Sequence, residues 1–205
     1  MIRVVKKKRL KYSMLDLSIL IPIHNESKIL KNNLLKIDKF MKKNYKSKWN
    51  FLIILNGCTD NSDEVLIKLK KKIKNIEIYY LKKADYGNAL KNGLLLSKSK
   101  KIFLINIEQY DMNFFKWANK NIKYYDYIIG SKVSDITINQ QPKYRRLLTW
   151  GLNSILNLFF KFNGTDTHGI KLIKMTNGIK KIIQNSKLKR GQFDTELTLK
   201  IIREG

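Results

Sequence analysis

Three short polar clusters carry most of the chemistry available to this chain, and each follows an apolar run. Pro22, His24, Asn25 and Glu26 follow Leu17 to Ile23. Asn56, Gly57, Thr59 and Asp60 follow Phe51 to Leu55. Asn106, Glu108 and Asp111 follow Ile102 to Ile105. Carboxylates and amides form a hard-oxygen donor set. Such groups hold Mg²⁺ or Mn²⁺ against a diphosphate, and they grip a base and ribose through hydroxyl and N–H groups. Any one cluster alone could be an ordinary turn; their repetition at successive apolar runs predicts one shared site.

Other chemistries find little support. Neither GxGxxG nor GxxxxGK[ST] occurs, which argues against a standard dinucleotide fold and a P-loop enzyme. His24 and His168 are the only histidines, and no nucleophile elbow accompanies them, so Ser-His-Asp catalysis is weakly supported. One cysteine, Cys58, and two scattered histidines disfavour zinc and allow no internal disulfide.

The elements that must position these clusters follow from hydrophobic pattern. Leu17 to Ile23 is a nearly continuous apolar run, as in a strand buried on both faces. A helix from about Ser27 places Leu30, Leu34, Ile37 and Met41 on one face. Strands are expected at 51–55, 76–81, 102–105 and 127–130, with helices from about Asn61 and through Ala89, Leu90 and Leu94. This alternation predicts an α/β fold with a mostly parallel sheet, whose ligands sit beyond the carboxyl ends of the strands. Further on, 145–161 reads as a helix with a broad apolar side, 169–173 as a short strand or turn, and a last helix starts near Asp194.

At 205 residues with 43% hydrophobic content, the chain is long enough for one globular domain. A formal charge of +26 attracts anionic partners. Lysine supplies most of it, with arginine confined to Arg3, Arg9, Arg145, Arg146, Arg190 and Arg203. Arginine is the better fork for phosphates and base edges, so nucleic acid is disfavoured relative to an anionic surface. No segment reaches the roughly 20 apolar residues of a membrane-spanning helix. The basic N-terminus lacks the apolar core of a signal peptide.

Read together and in order, the motifs resemble family 2 glycosyltransferases of the GT-A fold. They are Ile-Pro-Ile-His-Asn-Glu ending at Glu26, Asn-Gly-Cys-Thr-Asp-Asn-Ser from Asn56, Tyr86-Gly87-Asn88-Ala89, and the acidic end of the fourth strand. Ile129-Gly130-Ser131-Lys132, Asp166 to Lys171 and Gly191 to Glu196 extend the likeness. It is nearest to the dolichyl-phosphate or polyprenyl-phosphate mannosyl- and glucosyltransferase branch. The resemblance implies a basic arm at 1–15 and a single GT-A domain at 16–205, with a nucleotide-binding half at 16–111 and an acceptor half at 112–205.

It further implies an inverting transfer of a hexose from GDP-mannose or UDP-glucose to a lipid phosphate. The protein would be cytoplasmic and peripheral at the membrane face, and a separate membrane-anchoring subunit stays open as a partner. Carried across by position, Pro22, Asn25 and Glu26 border the nucleotide, and Asn56 and Asp60 line the base and ribose pocket. Asn106 and Glu108 occupy the family's Asp-x-Asp positions, with Asp111 as a further metal ligand. Ser131 and Lys132 approach the sugar or acceptor phosphate, Arg145 or Arg146 add anion contacts, and Asp194 and Glu196 match a late acidic motif. In the catalytic group fall Glu108, Lys132, Asp194 and Glu196.

Two departures stand out. Asn106-Ile107-Glu108 leaves one carboxylate where the family has two, so Mg²⁺ or Mn²⁺ is expected to bind weakly. Lys132 puts a point charge where arginine is common. The residues also admit blander roles: Glu26 and Asp60 as helix caps, Asp111 as a turn residue, His24 and His168 as hydrogen-bonding structural groups. Tyr124, Tyr125 and Tyr127 read as packing around a strand. Two alternatives follow: a catalytically impaired relative acting as a binding subunit, motivated by Asn106, and an RNA-binding protein, motivated only by charge.

Overall fold

A computed structural model describes residues 15–130 and 167–204. Strand β1 (Leu17–Ile23) is buried along its whole length, as its unbroken apolar run requires. It is followed by α1 (Ser27–Asn44), β2 (Trp49–Asn56), α2 (Ser62–Lys72), β3 (Ile76–Leu81), α3 (Tyr86–Leu96), β4 (Lys101–Leu104), α4 (Met112–Asn121) and β5 (Tyr127–Ile129). After the undescribed segment come β6 (Lys171–Lys174), α5 (Asn177–Asn185) and α6 (Gln192–Glu204).

The strands form one six-stranded sheet in the order β3-β2-β1-β4-β6-β5. The first four run parallel, since each returns through a helix. Strand β6 enters antiparallel between β4 and β5. The chain therefore steps outward from β1 to β3 on one side and restarts at β4 on the other. That reversal opens a crevice between the carboxyl ends of β1 and β4, where open α/β sheets bind ligands.

Helices cover both faces. Leu30, Leu34, Ile37 and Met41 of α1, Leu66 and Leu69 of α2, and Phe115 and Ala118 of α4 pack on one face of the sheet. Leu90 and Leu94 of α3, Ile179 and Ile183 of α5, and Phe193, Leu197 and Ile201 of α6 pack on the other. Burying each such large aliphatic side chain contributes about 1.5–3 kcal/mol.

The expected elements are present with shifts of a residue or two at their ends. Helices α4 and α5 are additional to the sequence reading. Two tyrosines depart from expectation. Tyr124 and Tyr125 are exposed rather than packed on a strand, because the turn after α4 carries them outward. Tyr127 does pack, and its hydroxyl lies 2.7 Å from Thr198 Oγ1. The basic arm, Ser131, Lys132, Arg145, Arg146, Asp166 and the 145–161 helix lie outside the described residues.

One glycine is dictated by close approach. A Cβ at Gly87, in the first turn of α3, would fall 2.2 Å from the Arg190 carbonyl oxygen and 2.6 Å from its nitrogen. At Gly178 in α5 the nearest atom is 3.9 Å away. Gly87→Ala is therefore expected to destabilise the fold by about 2 kcal/mol through overpacking. Gly178→Ala should stabilise it by about 0.5–1 kcal/mol. Paired denaturant melts read both, and equal effects of the two substitutions would refute the packing argument.

Candidate active site at the strand tips

The three predicted clusters converge at one edge of the sheet. Asn25 follows β1 in the left-handed region, with φ of 58°. This conformation directs its side chain across to the β2 tip. Asn25 Oδ1 accepts from the Thr59 and Asp60 backbone N–H groups at 2.8 and 3.3 Å, and Nδ2 donates to Thr59 Oγ1 at 3.1 Å. His24 Nδ1 donates to the Asn56 carbonyl at 2.8 Å, which fixes the proton on that nitrogen.

Asp60 joins two helix starts. One carboxylate oxygen accepts the Ser27 N–H at the head of α1, and the other accepts the Ser62 N–H at the head of α2, both at 3.0 Å. Ser62 Oγ in turn accepts the Glu26 N–H. Partial burial of Asp60 pushes its pKa up. The hydrogen bonds from Ser62 and Ser27 outweigh that effect and hold it down at about 2. The capping role open in the sequence is thus realised, in a position that also borders the site.

Asn56, buried at the end of β2, accepts the Asp85 N–H at 2.7 Å. Asp85 caps α3 by accepting the Asn88 N–H, and the same oxygen accepts the Arg190 N–H, both at 3.0 Å. It therefore links the β2 tip to the turn before α6. The sequence reading passed over Asp85 in favour of its neighbours Tyr86 to Ala89. Its signal was local: an acid three residues before Asn88 at a helix start.

On the β4 side, Asn106 lies within 3.4 Å of the Tyr86 hydroxyl, and its backbone closes a small turn with Gln109. Asn33 of α1 donates to the Ile107 carbonyl at 2.9 Å, holding the tip that presents exposed Glu108. Glu26 faces Glu108 electrostatically across the crevice. Burial first, then repulsion from Glu108 and Asp60, raises the Glu26 pKa, with His24 opposing. Asp111 caps α4 through Oδ1, which accepts from Asn113 and Phe114 at 2.7 and 3.1 Å.

Asp194 and Glu196 occupy different surroundings. Asp194 and Lys171 are both fully buried and ion-paired at 2.9 Å, and Lys171 also donates to the Gly169 carbonyl. Glu196 receives the Lys187 and Leu188 N–H groups and the Lys200 ammonium. Burial raises its pKa, and those partners lower it by more. His168 donates to the Gly191 carbonyl at 3.1 Å. These contacts anchor the turn that reaches Asp85.

The like-charged Glu26–Glu108 pair suits a positive charge in the crevice. Among the described residues, however, no group of three or more His, Cys, Asp or Glu side chains is gathered to hold a metal. A hard cation prefers about six oxygens. These residues fit Mg²⁺ or Mn²⁺ only where a substrate's phosphates complete the shell.

Comparison with known proteins fits this geometry. Residues 18–109, from β1 through the β4 tip, match Glycosyl transferase family 2. No curated protein sequence matches the chain. Among solved structures, S. aureus TarS 1–349 aligns with a TM-score of 0.60 at 15% identity, over 90% of this chain and 55% of that one. The chain thus spans about half the length of that relative. Glucosyl-3-phosphoglycerate synthase from Mycobacterium tuberculosis was solved with Mn²⁺, UDP-glucose and phosphoglyceric acid. It aligns with a TM-score of 0.64 at 11% identity, over 95% and 70% of the two chains. Mannosyl-3-phosphoglycerate synthase from Rubrobacter xylanophilus gives 0.54 at 11%, over 78% and 53%. At such identities the likeness is one of fold. The architecture is that of the GT-A fold, and the family match covers its first half, from β1 through the β4 tip.

The Asp60 geometry has a pH consequence. Its folded pKa lies below the unfolded value near 3.8, so its stabilisation is present above that value and is lost as pH falls towards about 2. Asp60→Asn is expected to flatten the stability–pH curve between those limits while leaving its shape at neutral pH. Urea melts across that window check this; an unchanged acid slope would refute the assignment.

Proposed function

We propose that this domain transfers a hexose from a nucleoside diphosphate sugar to a phosphate-bearing acceptor, with a polyprenyl phosphate as the acceptor we favour. The observation that carries the proposal is the clustering of Asn25, Asn56, Glu26, Asn106 and Glu108 at the neighbouring carboxyl ends of β1, β2 and β4, with Glu26 facing Glu108. The family 2 match over the same strands and the phosphate-bearing ligand of the M. tuberculosis relative support it.

In this reading residues 16–111 bind the nucleotide and 112–205 the acceptor. Pro22, Asn25 and Glu26 border the nucleotide, Asn56 lines the base and ribose pocket, and Asp60 shapes that pocket by fixing both helix starts. Asn106 and Glu108 would hold Mg²⁺ or Mn²⁺ together with the donor diphosphate, and the cation would neutralise the leaving phosphates. The acceptor phosphate oxygen forms the new bond to the anomeric carbon as the bond to the nucleoside diphosphate breaks, with inversion. Because that oxygen is already anionic near neutral pH, no strong general base is needed. Asp194 and Glu196 act as positioning residues through the Arg190 turn, and Lys132 meets the acceptor phosphate.

The test is thermal unfolding with Mn²⁺ and GDP-mannose, UDP-glucose or UDP-N-acetylglucosamine in turn. A bound donor at about 100 times its Kd adds about 2.7 kcal/mol and raises Tm by several degrees. One donor is expected to shift Tm, and only with metal present. No shift with any donor would overturn the reading.

The single carboxylate at the β4 tip motivates a second reading, an impaired relative serving as a binding subunit. Asn106→Asp separates the two. In an enzyme it should lower the Mn²⁺ concentration for half-maximal transfer by about tenfold, since added ligand charge tightens a hard cation. In an impaired relative it should create transfer where the unaltered protein has none.

A further inference from the structure

The outer surface of the α1/α4 layer carries a charge and aromatic pattern that the strand-tip site does not use. Lys116, Lys120 and Lys123 recur along α4 and the turn after it, all exposed. Trp117, Tyr124 and Tyr125 stand among them at 57%, 70% and 56% exposure. Lys116 lies 5.2 Å over the Phe40 ring of α1, and Lys123 lies 4.6 Å over the Tyr124 ring. Helix α4 contains no acid. The sole acid of α1 is Asp38, buried and paired with Lys42, while Lys31, Lys36, Lys39 and Lys43 of that helix are exposed. Asp126, beyond the tyrosines, is paired with Lys174.

We propose that this face docks on an anionic lipid bilayer. Trp and Tyr are amphipathic rings suited to the headgroup level, and lysines alongside them match anionic headgroups by point charge. Two features favour a bilayer over RNA. The surface is the solvent-facing side of two helices packed on the sheet, and its cations among the described residues are all lysine. The arginines among the described residues, Arg190 and Arg203, belong to the opposite layer, on and just before α6. Single-strand binding uses a basic groove with stacking platforms, and phosphate forks favour arginine.

The placement also serves the site. Helix α4 begins at the Asp111 cap, directly after the β4 tip, and Trp117 follows six residues on, about 9 Å along the helix. A bilayer against this face would bring lipid phosphates to the side of the crevice that carries Glu108. That consequence rests on the lipid-acceptor reading above; the docking itself does not.

The experiment is co-sedimentation of the full chain with phosphatidylcholine vesicles, with and without phosphatidylglycerol, in the absence of donor, metal and polyprenyl phosphate. The protein should sediment with the anionic vesicles alone and be released by salt. Lys116→Gln/Lys120→Gln/Lys123→Gln should weaken partitioning on the order of 100-fold. Trp117→Ser should weaken it several-fold with the salt dependence retained. All four side chains are exposed, so melting curves should match the unaltered protein. Equal partitioning of the triple variant and the unaltered protein would overturn the proposal. So would equal binding to neutral vesicles, or binding of a labelled single-stranded RNA through these lysines with no vesicle binding. Donor-induced Tm shifts on the same variants keep the two readings apart. Lost donor binding with intact sedimentation would sink the transferase reading, and the reverse outcome would sink this one.

Discussion

The polar seam between the first two strand tips is the interaction on which the rest of the site depends. Where β1 and β2 end, the ladder stops, and backbone N–H groups that would lie unpaired near the core need new partners. Asn25 and Asp60 supply them, taking the N–H groups of Thr59, Asp60, Ser27 and Ser62. One amide and one carboxylate thereby set where two strands stop, where two helices start, and how Glu26 enters the crevice. Asn25 can do this because a short polar side chain tolerates the left-handed backbone that turns it towards its neighbour.

A second relay joins the two layers. Asp85 connects the β2 tip, the start of α3 and the turn before α6, and Gly87 lets that turn press against the helix backbone. Behind it, the buried Lys171–Asp194 pair ties β6 to α6, and Glu196 gathers the 187–188 backbone. Breaking a buried pair by removing one partner leaves a costly uncompensated charge, so this half is held in one arrangement. Asp194 and Glu196 thus hold the backbone around them in place.

Charge is partitioned by location. Glu26, Asp60 and Glu108 come together at the crevice, where their mutual repulsion favours a cation, while lysines populate the outer helices. A strongly basic surface raises the local concentration of anionic ligands without needing to bind them. Among the described residues no helix is long and apolar enough to cross a membrane.

Hydrophobic period alone determined β1, α1, β2 and β3, because strands buried on both faces and a helix with apolar residues every three or four positions leave unmistakable patterns. It also placed three polar clusters at strand ends, which was enough to expect one site on a mostly parallel α/β sheet; the GT-A expectation came from the likeness of the motifs to family 2 glycosyltransferases. Helix α4 escaped, since Asn- and aromatic-rich Met112–Asn121 has weak helix propensity and is held by the Asp111 cap and the burial of Phe115 and Ala118. Short α5 likewise depends on its Thr176 cap and the packing of Ile179, Ile182 and Ile183. Asp60, Asp111, Asp194 and Glu196 looked alike in the sequence as acids near turns. Tertiary structure alone separated them into a double cap, a single cap, a buried ion pair and a loop anchor. What a carboxylate does is set by the N–H groups and ammonium groups that reach it, and those come from residues distant in the chain.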